Sequence, residues 1–546
     1  MKCFCRITVL FLSFASFAFA EHVCGTSIMM ENFLNNKNKS FSHFKYSKPS
    51  ALESATACTD TDLYDSVYTR TTKHFEIFYT LEGPHKTTKA YIDSLEKALE
   101  YAWDFHVNKS GMRPPKGYFE THQYQKSTQS DLYPVEVIDL SMLRNAKELL
   151  NGETCDLCFG LTLLMNDDES VLLIENDFRH GVEKASTIDT AHVNGKSCPY
   201  ISPTEDFTNP IYNYSYAKNF MPALRVTAVH ELYHAIQFRY LNTSVNFWFE
   251  ASASGVEEVA APDVDDYFEH LSYVANRVGQ PYPTLAKPYG ASVLFLYLNN
   301  HVSSDINRLI WENFAKEPNK NFQYQLTQVA KKKGLSADSL FHDFAVRLSF
   351  AGDRSKLVDS SFLIADDQTK WPQFKTTPQT GNFEALPLDY VAYYYNTNGT
   401  PDLSNFEGKA SAVAIYPDSY KIRFLPTTNS IDSVKTEFLR QGTPDSTIWV
   451  FSRFFEDDLI PTVLKDSTLR AYPTPWRQGP LCFTPLPRNK DYIELRNRRG
   501  NLITKIKYNG STHCIDESEV KSLLAPGIYR FRIENSGKLK DFIIVY

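Results

Sequence analysis

The chain has no basic excess: 57 Lys and Arg stand against 64 Asp and Glu, giving a formal charge of −7 and a pI near 6.1. That balance excludes the electrostatic footprint of a nucleic-acid binder or of a protein held on an anionic membrane surface. Beyond the N-terminal segment no run of 18 apolar residues occurs, so no permanent membrane span is expected. Glycine-rich GxGxxG loops are missing, and Ser252-Ala253-Ser254-Gly255 does not complete GxSxG, which leaves phosphate-loop and serine-hydrolase chemistry without a carrier. There is no second CxxC to join Cys155 and Cys158 in a metal knuckle, and no thioredoxin-like flank, so that pair reads as a local disulfide or loop staple. No repeat of solenoid period is present.

What is present is ample material for cores: 42% hydrophobic and 14% aromatic residues, with 32 Tyr and 38 Phe. At 546 residues the chain is too long for one ordinary domain. Lys2 and Arg6, the apolar stretch that follows and the small-x-small end Ala18-Phe19-Ala20 read as a signal peptide over residues 1–20, which implies export. Of nine cysteines, Cys3 and Cys5 leave with it, and Cys24/Cys58 and Cys482/Cys514 are the pairs expected from proximity in an oxidising compartment.

Residues 21–60, rich in Asn, Ser and Lys, show no sustained period and read as a leader arm. From 61 to 375 the expected order is a strand at 74–80, an amphipathic helix at 89–107, and strands at 134–140, 160–165 and 170–178. A helix over 221–240, with Pro222 in its first turn, and another over 247–261 follow, and stretches at 292–302 and 336–350 extend a mostly helical lobe. Aromatic and β-branched runs broken by turn residues predict a β-sandwich accessory domain over 376–470 and a small β-domain over 471–546. The fold class is therefore α+β.

His230-Glu231-Leu232-Tyr233-His234 is an HExxH on the predicted helix. Residues four apart share a helical face, so two imidazoles can grip one ion while Glu231 addresses the remaining coordination position. Chance supplies about 0.02 such matches in a chain of this composition, and a reading as two satisfied core histidines would fit a motif on a polar loop or without a nearby third ligand, which is not the case here. The position three after His234 is Gln237 and six after it is Tyr240, so HExxHxxGxxH is absent and a carboxylate is the better third ligand. Glu250, Glu257 and Glu258 all lie on the next predicted helix. Helical spacing forbids Glu250 and Glu257 from both reaching one ion, Glu258 is expected to face solvent, and Glu250, beside Trp248 and Phe249 in the helix turn closest to the loop after Tyr240, is the expected ligand.

HELYHAIQFRY followed by WFEASASGVEE resembles the glutamate-ligand zincins, in particular a bacterial family of large secreted zinc metalloproteases. HFEIFYT, the SLEKALEYAW helix with GMRPP, the KPYGASVLFLYL segment and FHDFAVRLSFAGDR share in that resemblance, which spans roughly residues 60 to 375. It implies a zincin-like catalytic domain with zinc on His230, His234 and Glu250 and with Glu231 as general base. Ala251-Ser252-Ala253 is fuller than the family's usual Gly-containing stretch. The C-terminal segment resembles the cargo tail of the type IX secretion pathway: Tyr472-Pro473-Thr474-Pro475 is similar to its YPNP opening, and LLAPGIYRFRIENSGKLKDFIIVY to its terminal hairpin. That resemblance implies the outer-membrane secretion machinery as a partner and a secreted or cell-surface location.

The expected activity is hydrolysis of peptide bonds in a protein or peptide substrate, with the strands before the catalytic helix offering an edge for an extended chain. Tyr289 is the candidate donor to the oxyanion. Ser254 is a candidate to hold a ligand in place, or a small packing residue. The rival expectation is a catalytically silent surface binding protein with a zincin-like core, against which the intact Glu231 argues.

Overall fold

The computed structural model describes residues 67–82, 85–118, 131–140, 158–178, 187–193, 196–202, 220–241, 247–276, 288–374, 391–396, 408–425, 431–454, 470–472, 481–484, 492–497, 501–508, 513–533 and 540–544. The expected signal peptide, the leader arm and the Cys24/Cys58 pair lie outside them. The architecture is mixed α and β, in two compact units that divide after Asp458.

The first unit opens with a mixed sheet. Strand β1 (Tyr68–Thr71) runs antiparallel to β2 (Phe75–Tyr79), with Tyr68 opposite Tyr79. Helix α1 (Lys89–Trp103) then crosses over. Thr88 caps it by accepting the Tyr91 amide at 3.1 Å, and Tyr91, Ile92, Leu95, Ala98, Leu99 and Ala102 form its buried face. After the short β3 (Lys116–Gly117), β4 (Tyr133–Ile138) lies parallel to β2, the arrangement that a helical crossover permits. Strand β5 (Gly160–Asn166) turns through Asp167-Asp168 into β6 (Glu169–Glu175), which pairs parallel with β4 and β3 and antiparallel with β5. Among the described strands β5 pairs with β6 alone, so it ends the sheet beside the next helix. A separate hairpin joins β7 (Thr187–Val193) and β8 (Lys196–Ser202).

Helix α2 (Phe220–Gln237) packs on α1, on β5 and β6, and on α3 (Phe247–Ala260). Its apolar positions Leu224, Ala228, Leu232, Ala235 and Ile236 are all fully buried in one core with Phe75, Val135 and Ile174 of the sheet. Fully burying a side chain of the Val, Leu, Ile or Phe kind contributes about 1.5–3 kcal/mol, so this layer anchors the helix firmly. A helical lobe follows: α4 (Phe268–Ala275), the turn Pro288–Ala291, α5 (Ser292–Tyr297), α6 (Ile306–Lys316), α7 (Phe322–Lys332) and α8 (Ala337–Leu348). No helix among the described residues is long and apolar enough to cross a membrane.

The expected β-sandwich over 376–470 differs from what is observed. The described residues there form one antiparallel sheet, β11-β10-β12-β9, from β9 (Val391–Asn396), β10 (Lys409–Tyr416), β11 (Ser419–Leu425) and β12 (Ser446–Arg453). Helices take the place of a second sheet. Ala410, Ala412, Ala414, Trp449 and Phe451 face α9 (Ile431–Gln441), through its Ile431, Val434 and Phe438. Val413, Ile448 and Val450 join the main core, on the side where α8 packs. The strand-like runs are strands, but the apolar faces of the sheet pack on helices.

The second unit is a β structure of its own. A three-stranded sheet, β13 (Arg470–Tyr472), β14 (Leu481–Thr484) and β17 (His513–Ile515), shares a core with a four-stranded sheet. That second sheet is made of β15 (Tyr492–Asn497), β16 (Leu502–Lys507), β18 (Gly527–Ile533) and β19 (Lys540–Ile544), and α10 (Glu517–Leu523) precedes β18. Phe483 meets Phe531 and Phe542 in its core, and the expected Cys482–Cys514 disulfide joins directly paired positions of β14 and β17.

Candidate metal centre

One helical turn separates His230 from His234 on α2, and their rings stand 4.6 Å apart at 87°. Glu250, in the first turn of α3, reaches back between them: its Oε2 is 3.4 Å from Nε2 of His230 and 3.4 Å from Nε2 of His234. One donor atom from each of the three residues lies within 4.8 Å of the other two, and all three residues are buried. This is a group that could hold a metal ion.

The outer nitrogens of both rings are held. Gln237 donates through Nε2 to the Phe249 carbonyl at 2.9 Å, so its Oε1 must be the acceptor facing Nδ1 of His234 at 2.7 Å. His234 therefore carries its proton on Nδ1, and its Nε2 presents a lone pair to Glu250. Ser252 lies 3.1 Å from Gln237 Nε2 and donates to the Trp248 carbonyl at 2.6 Å, tying the two helices together. On the other ring, Nδ1 of His230 bonds Oε1 of Glu257. The face of Phe249 stacks on His234 at 4.5 Å and 7°, fixing the ring plane.

Electrostatics follow from this packing. Burial pushes the Glu250 carboxyl up, and positive charge on the adjacent His234 and His230 rings, when they are protonated, outweighs it and brings the pKa down. Burial raises Glu257 to about 7 against the pull of His230. Neither carboxylate oxygen of Glu250 makes a hydrogen bond. A buried carboxylate without hydrogen bonds is costly unless a cation compensates it, and the two nitrogens aimed at it complete a donor set for one.

Glu231 sits beside the triad, 2% exposed, against the sheet's end strand. The Thr162 hydroxyl of β5 is 2.7 Å from Oε2 of Glu231 and 2.7 Å from its carbonyl oxygen. Gly160 on the same strand has to lack a side chain, because a Cβ there would stand 2.5 Å from Glu231 Cγ. One residue upstream of His230, the Val229 carbonyl accepts from His106 Nε2 at 2.9 Å, in the π-helical turn Asp104–Lys109 that ends α1.

Tyr289 occupies the turn Pro288–Ala291, which packs on α3, and its ring stacks on His270 at 4.8 Å. Ser254 is buried on α3, but the serine that bonds into the ligand support is Ser252. Glu258, expected to face solvent, is instead 7% exposed, because α3 is enclosed on every side. Sequence reasoning missed Gly160, Thr162 and the role of Gln237. Of these only Gln237, one turn after His234, carried a local signal.

No protein-family model matches the chain, and no curated protein matches it by sequence.

Proposed function

We propose that the chain is a secreted zinc-dependent endopeptidase. The observation that carries this reading is the convergence of His230, His234 and Glu250, with both imidazoles held through Nδ1 so that Nε2 of each faces one buried carboxylate oxygen. The resemblance of residues 60 to 375 to the glutamate-ligand zincins supports it, as does the α+β order of sheet, HExxH helix and returning ligand helix. His230, His234 and Glu250 would hold zinc. When bound, the ion lowers the pKa of water and polarises a carbonyl.

The chain's own groups account for the remaining chemistry. Glu231 takes a proton from the attacking water and returns it to the leaving amine, and Thr162 fixes the orientation of its carboxylate. Glu257 and Gln237 keep the ligand rings in the required tautomer and plane. Strand β5, ending the sheet next to Glu231, offers main-chain groups to an extended peptide, which favours a protein substrate over a compact small molecule. Tyr289 is the proposed donor to the oxyanion. The N-terminal 20 residues direct export, and residues 471–546 serve as an address for the type IX secretion machinery.

The enclosure of the centre favours a second reading, a silent surface binding protein: His234 is 0%, Glu231 2%, Glu250 2% and His230 4% exposed. One experiment separates the two. Purified mature protein is incubated with a mixed peptide library, with and without a zinc chelator. The endopeptidase reading expects internal cleavage that the chelator abolishes and zinc restores; an absence of cleavage by the zinc-loaded protein favours the binding protein.

A further inference from the structure

A second group of acidic side chains lies beyond the last turn of α3. Glu258 belongs to that turn, Asp265 to the bend that follows, and Asp367 precedes the turn Gln368–Lys370. One carboxylate oxygen from each lies within 4.8 Å of the others. Glu258 and Asp367 are buried, at 7% and 8% exposure, while the Asp265 side chain is 30% exposed and gives the group a face to solvent.

The oxygens are not equally satisfied. Asp367 is held firmly: Tyr267 Oη lies 2.8 Å from its Oδ1 and 2.9 Å from its Oδ2, and Trp371 Nε1 is 3.2 Å from Oδ1 and 2.8 Å from Tyr267 Oη. Asp265 Oδ2 meets Lys370 Nζ at 3.0 Å, on the outer side. Glu258, more than nine-tenths buried, contributes one carboxylate oxygen to the group, and its Oε2 makes no hydrogen bond. Four acidic groups, Glu258, Asp265, Asp366 and Asp367, act on this spot against Lys370. Burial first, then Asp367, Asp265 and Asp366, push the Glu258 carboxyl up to about 8.

We propose that Glu258, Asp265 and Asp367 bind a calcium ion that ties the end of α3 to the segment 360–371. Oxygen-only donors select a hard cation, and zinc, which takes nitrogen and sulfur readily, is better served by the histidine centre. Calcium accepts six to eight oxygens in flexible geometry, so three carboxylates and water complete its shell. Magnesium demands near-octahedral geometry, which a rigidly held Asp367 and a helix-bound Glu258 do not supply. Lys370, 59% exposed, can swing into solvent when the ion enters. The ion would fix the end of the helix that carries Glu250 and Glu257, and the inference stands whether or not the histidine centre is a peptidase.

The test uses the full mature chain and terbium as the calcium probe, because Trp371 and Tyr267 lie close enough to sensitise its luminescence. Saturable luminescence is expected, displaced by calcium and not by equal magnesium, together with a rise of about 5 °C in Tm at saturating calcium. Glu258→Gln and Asp265→Asn should each weaken calcium binding by about 100-fold or more with zinc content unchanged. Asp265→Asn, on a partly exposed residue, carries the test if Glu258→Gln fails to fold. The proposal is overturned by a wild-type protein with neither saturable luminescence nor a calcium-dependent Tm. Unchanged calcium affinity in the folded variants, or equal displacement by magnesium, overturns it as well.

Discussion

Gly160 and Glu231 touch across the junction of the end strand and the HExxH helix, so closely that a Cβ on residue 160 would stand 2.5 Å from Glu231 Cγ and 2.7 Å from Thr227 Cγ2. Those neighbours are buried and flanked by packed helices, so they cannot yield freely. Gly160→Ala is expected to lower peptide turnover by about 100-fold by displacing the Glu231 carboxylate, and to cost about 1–3 kcal/mol of stability by overpacking. Zinc content should stay at wild-type level, since the three atoms nearest the new methyl belong to Glu231 and Thr227 and not to the proposed ligands. Turnover near wild type in a fully folded Gly160→Ala protein would show that the position of Glu231 does not limit the reaction.

Glu250 and Glu257 share a helix but stand at opposite nitrogens of His230, which ranks them. Glu250→Gln should reduce zinc affinity by several orders of magnitude, because it removes a proposed ligand. Glu257→Gln should reduce it by roughly 10–100-fold, because it releases only the ring that holds the ligand nitrogen. Competition titrations against a calibrated zinc chelator measure both. The reverse ranking would make Glu257 the ligand and Glu250 its neighbour.

The helical face of His230, Glu231 and His234 was legible because i, i+4 spacing is a local property, and Glu250 followed from a helix returning after a short turn. The supports were not. Gly160 and Thr162 lie about seventy positions upstream on a strand, and only the packing of β5 against α2 brings them to Glu231. Glu258 was misread because thirteen of the fourteen residues of α3 are buried, so the helix has no broad solvent face for a phase argument to find. Helix α9 was lost in a region read as strands, although Ile431, Val434 and Phe438 fall at helical spacing. That helical period is the local signal which marks the segment.

His342 ties α8 to the sheet it covers, with Nδ1 2.7 Å from Ser452 Oγ and Nε2 2.8 Å from Ser411 Oγ. Burial, aided by Lys409, lowers its pKa from 6.5 to about 4. Between those values the unfolded chain binds more protons than the folded one. The contribution is therefore complete above about pH 6.5 and is lost as pH falls toward 4, on the order of 3 kcal/mol over the window. In metal-free protein, unfolding followed from pH 7.5 to 4.5 should show a shallower acid loss for His342→Gln than for wild type. Identical slopes would mean that the imidazole is already charged in the folded state.

The second unit has its own core and disulfide, and every proposed ligand and the proposed base lie in the first. Deleting 471–546 should therefore leave zinc content and peptide turnover intact while holding the protein in the periplasm of its host. Fractionation of cells expressing both forms reads the outcome. Equal release of the two forms would reduce the tail to an ordinary β-domain.

If Glu231 serves the attacking water and not the ion, its amide variant keeps the metal and loses the reaction. Peptide hydrolysis is compared for wild-type protein and Glu231→Gln, each at one zinc per chain. Equal zinc content in the two proteins is expected, with turnover reduced by about 100- to 10,000-fold in the variant. Near wild-type turnover by zinc-loaded Glu231→Gln would contradict it.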